Sequence, residues 1–152
     1  MKSGNTQNLP VAVLGAGPVG LAAAAHLIER GLTPLIFEAG AAIGANLATY
    51  RHVRLFSPWQ YNVDKAARRL LLGQGWREPA GEGLPTAGEL VDHYLAPLAS
   101  IPAVSSNLLL GYRVTAITRL GSTRSRQKGV KVRHSSFGLT RRMGRASSSP
   151  VP

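Results

Sequence analysis

Cysteine is absent from the 152-residue sequence, and no long uninterrupted apolar run is present. Without cysteine the chain forms no disulfide, no cysteine-ligated zinc site and no dithiol redox pair. The absence also fits a reducing compartment, so we expect a cytoplasmic protein. The apolar run at 9–25 is broken by Gly15, Gly17, Pro18 and Gly20, whereas a membrane span needs about 20 apolar residues. We therefore expect no membrane partner.

Acidic residues are few and unevenly distributed. All seven lie within residues 1–120, with ten of the 18 Lys and Arg residues, whereas residues 121–152 hold eight basic residues and no acid. We expect residues 1–120 to form one domain. Residues 121–152, called the tail, combine low hydrophobicity with high charge, which predicts disorder.

The tail admits two interpretations. A basic segment can bind nucleic acid by neutralising phosphates. Against this, its only aromatic residue is Phe137, so aromatic side chains do not alternate with basic ones for base stacking. An abrupt, acid-free, Ser/Arg-rich segment is also typical of a shifted reading frame, which we favour. Nucleic acid is therefore not an expected partner.

The first forty residues follow a strand, glycine loop, helix, strand and acid pattern. Residues 11–14 are an apolar run typical of a buried parallel strand. The sequence Gly-Ala-Gly-Pro-Val-Gly at 15–20 is followed by helix formers at 21–30, and a second apolar run at 35–37 ends at Glu38. We predict an α/β fold, a partial Rossmann-type domain with a parallel sheet.

Each glycine of this loop has a physical role in binding a dinucleotide. Gly15 permits a tight turn, Gly17 lets the backbone approach a pyrophosphate, and Gly20 lets the helix pack against the strand. Glu38 is placed to accept hydrogen bonds from ribose hydroxyls and disfavours the 2′-phosphate of NADP. We expect the pyrophosphate to be held at the helix N-terminus by Gly15, Ala16, Gly17, Pro18, Val19 and Gly20. The loop alone does not separate FAD from NAD.

The segment 11–44, with the glycine loop and Glu38-Ala-Gly-Ala-Ala-Ile-Gly44, resembles the N-terminal FAD segment of two-dinucleotide flavoproteins. These include flavin-containing monooxygenases, N-hydroxylating monooxygenases and pyridine nucleotide reductases. The resemblance implies an FAD-dependent oxidoreductase acting on an unidentified small molecule, with NADPH as hydride donor in a complete relative. No cysteine follows Gly44, which excludes disulfide reductases of the glutathione reductase type.

The resemblance adds Ala39, Gly44 and Val114 to the candidate cofactor-binding residues. It places the strand around Val114 in the FAD sheet, with its backbone near the adenine. No catalytic residue is assigned, because a flavin performs the redox chemistry itself. Complete relatives continue into a β-meander and a second glycine loop, neither of which we expect here. We therefore interpret residues 1–120 as an incomplete FAD/NAD(P)-binding domain of a truncated chain. Two alternatives stay open: an NAD-binding dehydrogenase subunit, and a non-catalytic fragment with a nucleic-acid-binding tail.

The middle of the chain is less informative. In the segment 50–59, either Ser57 helps to line a cofactor or substrate cavity, or Phe56 and Trp59 belong to a core. A helix is predicted at 65–72, and a capping box at 86–89 starts another that Pro97 kinks or ends. Its predicted buried face consists of Leu90, Val91, Tyr94, Leu95 and Leu98. Strands are predicted at 108–110 and 113–120. The four histidines share no metal-ligand spacing, so no metal site is expected.

Overall fold

A sheet of three parallel strands organises the computed structural model, which describes residues 9–117, 130–134 and 140–142. The strands are β1 (Val11–Leu14), β2 (Pro34–Glu38) and β3 (Leu108–Leu110), with β2 in the centre. Helix α1 (Pro18–Glu29) connects β1 to β2. This β–α–β unit confirms the predicted Rossmann-type α/β fold. The helix begins at Pro18, three residues before the run of helix formers, because a first-turn residue needs no N–H partner.

The chain between β2 and β3 is mainly helical. Its segments are α2 (Ala45–Ala48), α3 (Trp59–Asn62), α4 (Lys65–Leu72), α5 (Ala87–Leu90), a π-helical turn (Val91–Leu95), α6 (Ala96–Ser100) and α7 (Pro102–Ser105). The bounds of α4 and the capping box at α5 confirm the sequence prediction. In that box Glu89 N–H donates to Thr86 Oγ1 (3.1 Å) and Thr86 N–H donates to Glu89 Oε2 (2.7 Å). Within the described ranges, no helix combines the length and apolar character that crossing a bilayer requires.

The core extends from the parallel sheet, on which α1 packs, through α1 and α4 to the helices that precede β3. All five residues of the predicted face, Leu90, Val91, Tyr94, Leu95 and Leu98, are buried, as are Leu21 of α1 and Ile36 of β2. Trp59 is also buried, as the core interpretation predicts. Phe56 is 98% exposed, so its assignment to the core was wrong. It lies in a bend before α3, outside the buried face of the helices.

Pro97 lies within a continuous helical run rather than at its end. The π-helical turn immediately precedes α6, which contains Pro97 in its first turn. Proline has no N–H to donate to the carbonyl four residues earlier, which is that of His93. That carbonyl instead accepts the indole N–H of Trp76 at 2.7 Å. The predicted kink therefore takes the form of a widened helical turn that anchors Trp76.

A second, antiparallel sheet follows in the order β4-β5-β6. Its strands are β4 (Tyr112–Ile117), β5 (Val130–His134) and β6 (Thr140–Arg142). The strand containing Val114 therefore pairs with β5, and its predicted place in the parallel sheet was wrong. The reason is Gly111, whose φ of +74° turns the chain between β3 and β4. Consecutive antiparallel strands form a meander, which corrects the expectation that none is present.

The strands β5 and β6 lie in the tail, where composition alone predicts disorder. The remaining tail residues, 121–129, 135–139 and 143–152, fall outside the described residues, so their disorder stays a prediction. The same holds for the assignment of the tail to a shifted reading frame.

Asp64 links α4 to α1 and makes stability depend on pH. Its Oδ1 accepts the N–H groups of Ala66 (2.8 Å) and Ala67 (3.1 Å), and its Oδ2 lies 3.1 Å from Nε2 of His26. Burial opposes ionisation, but the helix N–H groups and His26 outweigh it and hold the pKa of the Asp64 carboxyl below its ordinary 3.8. The depressed pKa contributes stability that is fully present above pH 3.8 and is lost as pH falls through the folded-state pKa.

Asp64→Ala is expected to lower the free energy of unfolding by about 1 kcal/mol near neutral pH, because it removes the helix cap. Asp64→Asn keeps a capping oxygen but cannot titrate. The wild type should therefore lose stability relative to Asp64→Asn once the pH falls below 3.8. Urea denaturation above and below that pH measures both effects. If the difference in unfolding free energy between wild type and Asp64→Asn is the same above and below that pH, this assignment is contradicted.

Candidate functional site

The carboxyl ends of β1 and β2 open into a cavity of about 810 Å³, within the size range of small-molecule sites. Ligands of open α/β sheets bind at this edge. Nine of the ten predicted cofactor-binding residues line the wall: Gly15, Gly17, Pro18, Val19, Gly20, Glu38, Ala39, Gly44 and Val114. The structure thus brings together residues from the glycine loop, the end of β2, the start of α2 and β4.

The three loop glycines differ in what surrounds them. Gly15 has a φ of +94°, a conformation that side chains disfavour, and its N–H donates to the Phe37 carbonyl at 2.8 Å. A Cβ on Gly17 would meet no atom within 4 Å. A Cβ on Gly20 would lie 1.9 Å from the Gly15 carbonyl oxygen. The loop therefore needs glycine for a turn at Gly15 and for close packing at Gly20, while Gly17 leaves open space on the cavity wall.

The N-terminus of α1 faces this wall without a side-chain cap. Gly17 is the N-cap residue and has no side chain to accept a bond, and the first turn contains no acidic residue. The unpaired N–H groups of that turn and the helix dipole favour a negative charge at this end. The wall therefore suits a phosphate group.

Glu38 is fixed at the cavity by two backbone donors. The N–H of Ala16 donates to its Oε2 at 2.7 Å, and the N–H of Gly40 donates to its Oε1 at 2.6 Å. Each carboxylate oxygen has a second lone pair that can accept a hydroxyl. Glu38 is thus held in place with free accepting capacity at the rim.

Ala16 is the one predicted residue that does not line the cavity. It is fully buried, and besides its bond to Glu38 its carbonyl accepts the N–H of Gly44 at 3.0 Å. Gly44 has a φ of +60° and precedes α2. The structure therefore places Ala16 behind the wall, where it joins the glycine loop to the end of β2 and to the start of α2.

Sequence reasoning missed half of the wall. The further lining residues are Leu14, Phe37, Gly40, Ala45, Asn46, Leu47, Tyr50, Tyr112 and Arg113. Ser57 is not among them: its hydroxyl donates to Asn62 Oδ1 at 3.1 Å and closes the turn at α3. Tyr50 is the residue of the segment 50–59 that reaches the cavity. Two signals in the sequence could have indicated some of these residues. Asn46 follows closely after Gly44, and Tyr112 and Arg113 directly precede Val114, so each lies next to a residue that was predicted.

Comparisons with known proteins agree with this geometry. Residues 13–77 match the family model described as NAD(P)-binding Rossmann-like domain. No curated protein sequence matches the chain significantly.

Several solved structures share the fold of this chain. An oxidized steroid monooxygenase bound to NADP is 27% identical over 70% of this chain and 20% of its own, with a TM-score of 0.55. A flavin monooxygenase from Stenotrophomonas maltophilia is 26% identical over 86% of this chain and 34% of its own, with a TM-score of 0.59. Bacillithiol disulfide reductase from Bacillus cereus, 22% identical over 81% of this chain and 32% of its own, shares the fold with a TM-score of 0.57.

The chain spans between a fifth and about a third of the length of these three proteins. The matches include two monooxygenases and cover most of the chain described above. They confirm the resemblance predicted from the glycine loop. The chain therefore has a Rossmann-like α/β fold and is similar, in this part of their structure, to flavin monooxygenases and related oxidoreductases.

Proposed function

We propose that the chain binds the ADP half of FAD in this cavity and forms the N-terminal cofactor-binding part of a flavin monooxygenase-like oxidoreductase. The observation that carries the proposal is the pairing of Gly17 and Glu38 on one cavity wall. Gly17 has no side chain at the point where a pyrophosphate would approach the helix. The fixed carboxylate of Glu38 lies at the point where the adjoining ribose would bind.

Each part of the wall has a distinct task in this proposal. The first turn of α1 and the loop Gly15–Gly20 hold the pyrophosphate, and Glu38 accepts the ribose hydroxyls. Ala16 acts indirectly, by holding Glu38 in position. Ala39, Gly44 and Val114 line the same wall. FAD supplies redox chemistry when bound, so these residues bind and orient, and none is assigned a catalytic role.

A second candidate is an NAD-binding dehydrogenase subunit. The matching family is described by NAD(P) binding, and the ADP half is common to FAD and NAD. The flavin monooxygenase from Stenotrophomonas maltophilia, which is 26% identical, favours FAD. NADP is disfavoured in this cavity, because the Glu38 carboxylate would repel a 2′-phosphate.

Parallel titrations with FAD and NAD distinguish the two candidates. Flavin fluorescence follows FAD binding, and calorimetry follows both ligands. We expect saturable binding of FAD. Saturable NAD binding without FAD binding would replace the first candidate by the second.

Glu38→Ala is expected to weaken ADP binding by at least about tenfold, because hydrogen bonds to a charged acceptor contribute roughly 1.5–3 kcal/mol each. Glu38→Gln should also weaken it. Both carboxylate oxygens accept backbone N–H groups, and an amide nitrogen in either place would face another donor. Calorimetric titration with ADP measures the loss. Unchanged affinity in folded variants would remove Glu38 from the binding site.

The chain alone is expected not to oxidise NADPH. The sequence contains one loop of the Gly-x-Gly-x-x-Gly type, and hydride transfer from NADPH to FAD needs both dinucleotides bound at once. The assay compares NADPH oxidation by protein with added FAD against free FAD. Saturable, protein-dependent oxidation well above the free FAD rate would contradict this.

A cytoplasmic location remains a proposal from composition.

A further inference from the structure

We propose that Arg113 stacks on the adenine ring of the bound nucleotide and so gives the site its preference for a purine base. This inference rests on the proposed nucleotide binding. It concerns a residue of β4, outside both the glycine loop and the acid at the end of β2.

The sheet order fixes the direction in which a nucleotide must lie. The glycine loop follows β1, Glu38 ends β2, and β3 lies on the far side of β2 from β1. A nucleotide with its pyrophosphate at the loop and its ribose at Glu38 therefore extends its base towards β3. The base end of the cavity is thus the β3 side.

The start of β4 closes that end. Gly111 donates its N–H to the Gly40 carbonyl at 2.8 Å, which joins the β3–β4 junction to the turn directly after Glu38. The next three residues, Tyr112, Arg113 and Val114, all line the cavity. Arg113 therefore lies where the base is expected, beyond the ribose.

Arg113 is free to meet a ligand. It is exposed, and within the described part of the chain its guanidinium has no hydrogen bond or ion pair. Other arginines are engaged: Arg51 pairs with Asp92 at 2.6 Å, and Arg69 pairs with Glu29. Glu38 is the other charged residue of the cavity wall, and the structure shows no ion pair between its carboxylate and Arg113.

A base explains this placement better than a phosphate does. The pyrophosphate belongs to the β1 side, and Glu38 repels a phosphate on the ribose. The group left for the β3 side is the planar, aromatic base. A guanidinium is itself planar and positively charged, so it stacks well on an aromatic face. A lysine ammonium carries the same charge but has no planar group that could stack on the base.

The test compares ADP with UDP, which has the same ribose and diphosphate but a smaller ring. Wild type should bind ADP more tightly. Arg113→Ala should weaken ADP binding about two- to fivefold and UDP binding less, so that the preference falls. Arg113→Lys should bind ADP more tightly than Arg113→Ala but less tightly than wild type. Arg77→Ala is the matched control, because Arg77 is also exposed but lies outside this cavity, and it should change nothing.

A second readout reports the base directly. Fluorescence of 1,N6-etheno-ADP at saturation should be more quenched by wild type than by Arg113→Ala. Equal loss of ADP and UDP affinity would identify a phosphate contact and overturn the stacking proposal, as would unchanged ADP affinity. Failure of the wild type to bind ADP at all would instead overturn the proposed function itself.

Discussion

Gly17→Ala should fold as stably as wild type and lose most of its affinity for ADP. Gly17 has φ −88° and ψ −171°, an extended conformation that alanine adopts without strain. A Cβ there would meet no protein atom within 4 Å, so packing is undisturbed. The methyl group would instead stand on the cavity wall at the N-terminus of α1, and would keep a pyrophosphate from the helix N–H groups.

Losing one or two charge-assisted hydrogen bonds predicts a fall in ADP affinity of about 10- to 100-fold or more. Calorimetry gives the affinity, and thermal unfolding shows that the fold is intact. If Gly17→Ala binds ADP as wild type does, the pyrophosphate does not approach the loop at this point.

Gly20→Ala should have the opposite character and destabilise the fold. Its Cβ would lie 1.9 Å from the carbonyl oxygen and 2.9 Å from the carbonyl carbon of Gly15. Both are backbone atoms in the turn that leaves β1, so α1 or the loop must move. Overpacking of this kind costs about 1–3 kcal/mol or more. The loop geometry needed for binding would be lost with it.

Urea denaturation measures this effect, with Gly17→Ala as the matched control. Both variants add one methyl group to a glycine of the same loop, three residues apart. We expect a clear fall in unfolding free energy for Gly20→Ala and almost none for Gly17→Ala. Equal stability of the two variants would show that α1 does not pack against the turn as described.

The glycine loop could be predicted from sequence because its requirements are local. A turn at Gly15 and close packing at Gly20 each follow from a few neighbouring residues, and both are found. The capping box at Thr86 and the helix at 65–72 are local in the same sense.

Contacts between distant segments could not be predicted in this way. Nothing near Glu38 in sequence indicates that Ala16 donates to it across 22 residues. The strand around Val114 was predicted correctly as a strand, but its partner depends on the turn at Gly111 and on β5. The sequence shows that Pro97 cannot donate a hydrogen bond to the His93 carbonyl. It does not show that the indole N–H of Trp76 takes that place, because tertiary packing brings Trp76 there.

The most direct test of nucleotide binding in the cavity is a heteronuclear NMR titration of the amide-labelled protein with ADP. We expect saturable shifts concentrated in the amides of Gly15, Gly17, Val19, Gly20 and Gly40, with little change in α4 or at Trp76. No saturable shift, or saturable shifts confined to residues outside this cavity, would contradict it.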